Sequence, residues 1–357
     1  MTRAMRRILA RHTLSRQMSV EPNAEDKETI AASLRRMDLL AEGQAFAVTV
    51  LTGGVSCDVW HIKTADGREM VVKRALPRLR VEAEWKAPAE RASTEADWFR
   101  FVAEFDPRLV PEVMGEDRAH HIFAMEYLPP ETHKLWKSEL AAGRADSGFA
   151  VRVGETLAHI HAASANREDV MHDFAHDTQF HALRLEPYLL HTAKAHPALA
   201  PRIRALADGV AKSRIALMQG DISPKNILIG PDGPVFLDAE TACYGDPAFD
   251  LAFCLNHLLL KGVWHKKSKD GYLQSFNALA NSYLENVTWE EPGDVEERAA
   301  ALLPAFLLAR IDGKSPVEYL TTEKDKITVR DAAKNLFGTK PRTLSAVADI
   351  WRTALGK

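Results

Sequence analysis

The chain has 357 residues, a formal net charge of -3 and 46% hydrophobic residues. That length and composition suit two units with buried cores and exclude a disordered polymer, while the near-neutral balance excludes the broad basic field of a nucleic-acid binder. Cys57, Cys243 and Cys254 are odd in number and lack metal-ligand spacing, as expected of free thiols in a reducing cytoplasm. Apolar runs such as Phe306-Leu307-Leu308-Ala309 fall short of the roughly 20 residues a spanning helix needs, so no membrane partner is expected.

Residues 1–17 carry Arg3, Arg6, Arg7, Arg11 and Arg16 and no acid, a composition shared by organelle leaders and by frayed basic extensions. The expectation is an extension over 1–23 preceding a first lobe at 24–126. The pattern predicts a helix from Ala24 to Leu40 and a strand from Ala45 to Leu51. Thr52-Gly53-Gly54-Val55-Ser56 follows, where glycine lets backbone N–H groups of a tight turn approach phosphate oxygens; Gly53, Gly54 and Ser56 are candidate nucleotide contacts, and an ordinary turn has the same composition. Strands 58–64 and 68–76 flank Asp66-Gly67, a strong hairpin signal. Met70-Val71-Val72-Lys73 resembles the strand whose lysine holds nucleotide phosphates, with Val71 on the same face as Lys73 and covering the adenine.

In the helical segment from Glu90 to Phe105, Glu95 shares a stripe with Trp98, Phe99 and Val102. A carboxylate on an apolar stripe needs a partner, and Lys73 is the one expected, with Glu90 and Glu104 as substitutes for Glu95. The strand at 123–128 leads into a hinge, where the backbone of Glu126, Tyr127 and Leu128 is a candidate for the adenine edge. A second, mostly helical lobe is expected over 127–357. Within it, His159 and His161, and likewise His172, His176 and His181, fit no complete zinc set and read as polar helix surface.

Gln219-Gly220-Asp221-Ile222-Ser223-Pro224-Lys225-Asn226 carries the chemistry. Its aspartate and asparagine reproduce the spacing by which a kinase catalytic loop sets a carboxylate beside the attacking hydroxyl and an amide on a metal. Segments 226–230 and 234–238 read as a hairpin about Pro231-Asp232-Gly233, which puts Asn226 across from Asp238, roughly 5 Å apart, give or take a small register slip. Such oxygens suit magnesium. Further on, the polar stretch from Arg310 to Tyr319 reads either as lining of an acceptor pocket or as a helix end with a glycine cap and proline stop.

From Thr52 to about Leu260 these segments, with Asp246-Pro247-Ala248-Phe249-Asp250-Leu251-Ala252, resemble the aminoglycoside phosphotransferase and choline kinase-like family. The resemblance implies an α+β, two-lobed protein-kinase-like fold, with a small antiparallel-sheet lobe and a larger helical lobe. It implies ATP or GTP as donor, Mg2+, and a small hydroxyl acceptor of aminoglycoside, amino-alcohol or sugar-like type, in a monomer or homodimer. Asp221 is then catalytic, Asn226 and Asp238 are metal ligands, and Asp250 braces the catalytic loop. Gln219 departs from the family's usual histidine, and Asp238-Ala239-Glu240 replaces D-F-G, so no activation-loop switch is expected. A non-catalytic nucleotide-binding scaffold and a protein-substrate kinase are the rival readings.

Overall fold

The computed structural model describes residues 23–51, 56–76 and 88–356. The 1–17 segment and the Gly53 and Gly54 positions lie outside the described residues. The chain forms two compact units, the first taking the described residues through Ser93 together with Val113–Tyr127, and the second taking Thr94–Glu112 and everything from Leu128 onward.

The first unit begins with α1 (Ala24–Arg36), whose Asn23 cap accepts the Asp26 N–H at 2.7 Å and whose ends carry acids first and arginines last. Strands β1 (Phe46–Val50), β2 (Cys57–Thr64), β3 (Glu69–Ala75), β4 (Val113–Asp117) and β5 (Ile122–Glu126) form one antiparallel sheet in the order β1-β2-β3-β5-β4. The β2–β3 turn uses Gly67 at φ 88°, in the left-handed region that glycine enters at little cost. Ile30 and Leu34 of α1 pack on Trp60, Ile62, Met70, Val72, Ile122 and Ala124, which line one face of the sheet. Strand alternation therefore turns Val71 and Lys73 to the opposite face.

Helix α2 (Arg91–Ala103) starts in the first unit, where the fully buried Arg91 donates to the carbonyls of Leu76 and Pro88 at 2.6 and 2.7 Å and to that of Ser56. From Thr94 on it belongs to the second unit, whereas the sequence placed this segment in the first lobe. The reason is packing: Phe101 meets the Phe174 ring edge-on at 6.3 Å, and the Arg167 guanidinium lies 5.6 Å from the Phe101 ring. The other boundary falls between Tyr127 and Leu128.

In the second unit α3 (Ser147–Ser164) lies against α5 (Lys269–Glu285) so closely that a Cβ on Gly154 would stand 2.4 Å from the Leu279 carbonyl. The short strands β6 (Lys134–Leu135), before α3, and β7 (Ala216–Met218), β8 (Ile227–Ile229), β9 (Pro234–Phe236) and β10 (Cys243–Gly245), between α3 and α5 in sequence, pair as β7 with β10 and as β8 flanked by β6 and β9. Helix α4 (Pro247–Trp264), capped by Asp246 and opened by Pro247, is apolar on nearly every side and forms the centre of this unit. It packs on α5 and on α6 (Pro292–Asp312), and α7 (Glu323–Thr339) and α8 (Leu344–Leu355) complete the unit. Residues His181–Leu190 form a π-helix with Pro187 inside it, a wide coil that is rare and concentrated at functional sites. Among the described residues no helix is long and apolar enough to cross a membrane.

Candidate active site

The catalytic loop is held from below. Asp250 on α4 accepts the Gln219 N–H at Oδ2 (2.7 Å) and the Gly220 N–H at Oδ1 (2.9 Å), and it is fully buried. His161 on α3, also fully buried, lies 3.4 Å from Asp250 Oδ2 and bonds Tyr283 of α5 at 2.8 Å through its other ring nitrogen. His161 is therefore not polar helix surface, because a partner on each side satisfies it inside the core. Gly220 adopts φ 80°, and a Cβ there would stand 2.6 Å from the Thr241 carbonyl, so the loop admits only glycine at this point.

This support turns Asp221 into a nearly enclosed carboxylate, 3% exposed. Its Oδ2 is saturated: Asn226 Nδ2 donates at 3.0 Å, the Arg184 guanidinium lies at 3.0 Å and the Lys225 ammonium at 2.8 Å. Its Oδ1 is buried and has no hydrogen-bond donor among the described residues. Burial opposes charge on Lys225, but Asp221 and then Asp238 outweigh it and hold the ammonium well above its ordinary pKa, even though the side chain is 50% exposed overall. Arg184 is raised in the same way, burial working against it and Asp221 for it.

The expected hairpin forms, with a register shifted by one residue. Ile227 pairs with Phe236 and Ile229 with Pro234, so Asn226 faces Leu237, whose N–H it accepts at 2.8 Å, and Asp238 lies one residue beyond. The cause is the turn, closed by Gly230 N–H to Gly233 O at 2.9 Å, whose centre falls between Pro231 and Asp232 rather than on Asp232. Asp238 then takes φ 61°, an uncommon conformation for a residue with a side chain and one that clusters at functional positions. Lys225 still links the two aspartates, its ammonium 3.9 Å from Asp238 Oδ2. Gln219, the departure from histidine, stitches these segments: it accepts the Asp221 N–H at 2.6 Å and donates to the Leu237 and Asp238 carbonyls at 2.7 and 3.0 Å.

Asn226 gives its amide nitrogen to Asp221, and no hydrogen bond among the described residues reaches its Oδ1. An amide oxygen and the Asp238 carboxylate are hard donors of few net charges, a set that fits magnesium alongside phosphate and water. Among the described residues no group of three or more His, Cys, Asp or Glu side chains gathers as a metal cage.

Residues 47–278 match the phosphotransferase enzyme family. The chain belongs to that family. A methylthioribose kinase of Pectobacterium carotovorum is 28% identical over 229 residues, which cover 57% of each chain, so this chain spans little over half the length of that relative. A protein of Escherichia coli O157:H7 named as a probable ketoamine kinase is 27% identical over 69% of this chain and 84% of its own. The choline kinase of Cryptosporidium parvum superposes with a TM-score of 0.53 at 12% identity, over 88% of this chain and 96% of that one. The fold is accordingly α+β and protein-kinase-like, a sheet unit and a mostly helical unit.

The remaining family positions distribute over both units. Lys73 is 5% exposed and Val71 6%, both on the sheet face away from the α1 core; Ser56 is buried, with its carbonyl bound by Arg91. Glu95, in the second unit, is 1% exposed among Trp98, Phe99 and Val102, all fully buried, as its stripe implied. Tyr127 stacks on His61 at 3.9 Å; Glu126 ends β5 exposed; Leu128 opens the second unit. Sequence reading missed two residues on Asp221. Lys225 carried a signal, four positions after the aspartate, but Arg184 comes from the π-helix, and only Pro187 within a helical pattern marked that segment. Two cavities of about 360 Å³ in the helical unit lie elsewhere, one beside His181, Arg214 and Cys243, the other beside Arg202, Glu297 and Phe337.

Proposed function

We propose that the protein transfers the terminal phosphoryl group of ATP to a hydroxyl of a small molecule. The observation that carries this reading is the asymmetry of Asp221: one carboxylate oxygen is fixed by Asn226, Arg184 and Lys225, and the other is buried with no donor among the described residues. A carboxylate so oriented accepts the hydrogen of an incoming hydroxyl and aligns its oxygen for attack. The new O–P bond forms as the bond to the ADP oxygen breaks, the leaving oxygen keeps the electron pair, and the hydroxyl proton passes to Asp221 Oδ1. Alignment and neutralisation of charge dominate such a reaction. Lys225 stands where it can follow negative charge from Asp221 toward the transferred group, and Lys73 supplies a second cation for the phosphates. Val71 offers an aliphatic surface to the adenine, and the backbone of residues 126–128 offers polar groups to its edge. Asn226 Oδ1 and Asp238 are the groups that would hold magnesium, which when bound neutralises phosphate oxygens.

Replacing Asp221 by Asn keeps the shape and removes the base. The expected result is a fall in kcat of roughly 10²- to 10⁴-fold with nucleotide affinity nearly preserved. Steady-state ADP release measures the first and calorimetry the second; unchanged turnover would remove Asp221 from the chemistry. A nucleotide-dependent rise in melting temperature with no phosphoryl transfer to any member of a broad hydroxyl library would replace the enzyme reading with that of a binding scaffold. Asp238→Ala should weaken nucleotide binding in the presence of magnesium and leave metal-free binding little changed.

A further inference from the structure

Helix α4 carries one line of polar groups out of the catalytic loop. Asp250 braces the loop; Phe253, nearly one turn on, has the Arg184 guanidinium 5.9 Å from its ring; His257 meets Phe253 edge-on at 5.8 Å; and Lys261 and Trp264 continue the same face. Lys261 is 2% exposed, with its ammonium 4.5 Å from the Tyr319 ring centroid and 5.3 Å from that of Trp264. No carboxylate pairs with it among the described residues. The acid of this region, Glu318, is engaged by Lys137 at 2.6 Å and is 64% exposed at its side chain.

Arg310 repeats the pattern from α6. At 9% exposure its hydrogen-bond partners among the described residues are neutral, the Ser315 carbonyl at 2.5 Å, the Ser315 hydroxyl at 3.1 Å and the Tyr188 hydroxyl at 3.4 Å; Glu318 acts on it only through space, and its Nε is buried without an acceptor among those residues. Tyr188 joins the two ends of this network, since the guanidinium carbons of Arg184 and Arg310 each lie 5.7 Å from its ring centroid. Burial, reinforced by Arg310, Lys261, Lys225 and Lys137, holds His257 well below its ordinary pKa and so leaves it neutral. Buried cations without acids are costly, and a site that keeps them is arranged to receive negative charge.

We infer that the acceptor is a small hydroxylated anion, a carboxylate or a phosphate ester, whose negative group docks on Lys261 and Arg310 while its hydroxyl meets Asp221. The inference rests on the phosphotransferase reading and narrows it: polycationic amino sugars and quaternary amino alcohols would meet repulsion here, and a neutral sugar would leave both cations unanswered. The polar stretch that begins at Arg310 thus lines the acceptor side of the site, in addition to ending its helix.

Two measurements on wild type and Lys261→Met test this. Melting is followed without nucleotide against glycerate, glycerol 3-phosphate, glycerol and choline; ADP release is followed with Mg-ATP against carboxylate-, phosphate-, ammonium-bearing and neutral alcohols. Wild type should be stabilised by one anionic class, which also identifies whether carboxylate or phosphate is taken, and Lys261→Met should lose that response. Turnover should fall in the same class, and the preference in kcat/KM for anionic over neutral acceptors should collapse by ~10- to 100-fold in Lys261→Met, mostly through KM, as expected for a lost charge-assisted contact. Turnover confined to neutral or ammonium-bearing acceptors, or a KM indifferent to Lys261, overturns the inference and leaves the phosphotransferase intact. Anion binding that depends on Lys261 without transfer to any alcohol does the reverse, and the absence of both responses removes both.

Discussion

Asp250 and Lys261 stand on the same face of one helix, three turns apart, each almost wholly buried, yet their surroundings are opposites. Around Asp250 every charge is answered: two backbone N–H groups and His161 surround its carboxylate, and the loop it supports sets Arg184 and Lys225 against Asp221. Around Lys261 the nearest groups are aromatic faces and a second cation, and the acid that acts on it, Glu318, does so only through space while bonded to Lys137. A fold can bury charge stably only by pairing it, so the first region reads as a built support and the second as a place where stability is given up for something absent from the chain itself.

The largest effect that tests this contrast is at Asp250. Asp250→Ala leaves two buried N–H groups without acceptors and His161 with Tyr283 alone of its two partners, and the expected loss is about 3 to 5 kcal/mol in denaturant unfolding, with catalysis lost as the loop relaxes. A loss below about 1 kcal/mol would show that the loop holds its shape without the brace, and the contrast would fail at its firmer end.

How far the sequence revealed these two regions follows from distance along the chain. Asp221, Asn226 and Asp238 lie on one loop and hairpin, so their convergence could be worked out from spacing, and the error was a single register step fixed by where the Gly230–Gly233 turn has its centre. Glu95 was legible because a helical stripe declares its own burial. Arg184, His161 and Tyr283 were not, since each reaches the site from a helix far away in sequence, and periodicity says which face is buried without saying what it will meet. Lys261 was hidden for a related reason: a lysine in an apolar run reads as a surface residue whose stem snorkels, and only α5, α6 and the 313–319 segment closing over α4 bury it.

Lys261 supplies the next test, with the opposite sign. Burial, with Lys137 adding to it and Glu318 opposing, pulls its pKa down to about 8 from 10.5. Between those two values the unfolded chain binds more protons than the folded one, so wild-type stability rises with pH across that window, and below pH 8 the full cost of the buried ammonium is present. Lys261→Met should therefore be more stable than wild type by about 3 kcal/mol at pH 7, with the gain shrinking toward zero as pH approaches 10.5. Thermal or urea unfolding of the pair across this range measures it. A variant less stable than wild type at pH 7 would mean the ammonium is already satisfied within the protein, and the two ends of α4 would no longer differ in kind.

A third charge, paired but close to solvent, calibrates both. Arg330 grips Asp312 with two parallel bonds, Nε to Oδ2 at 2.9 Å and an outer nitrogen to Oδ1 at 2.7 Å, and His196 adds a contact at 2.9 Å. Burial works against this carboxylate, but Arg330 and then His196 outweigh it and hold its pKa below the ordinary 3.8. The sign is that of a stabilising acid: the contribution is complete above the unfolded value and is lost as pH falls through and below it. Because Arg330 and Asp312 keep 24% and 18% of their side-chain surface, solvent and salt screen the pair, and Asp312→Asn should cost only about 1 kcal/mol at pH 7, less in high salt, and progressively less as pH falls below 3.8. A loss as large as that of Asp250→Ala would mean that burial does not set the scale in this unit, and the unpaired Lys261 would then need another explanation.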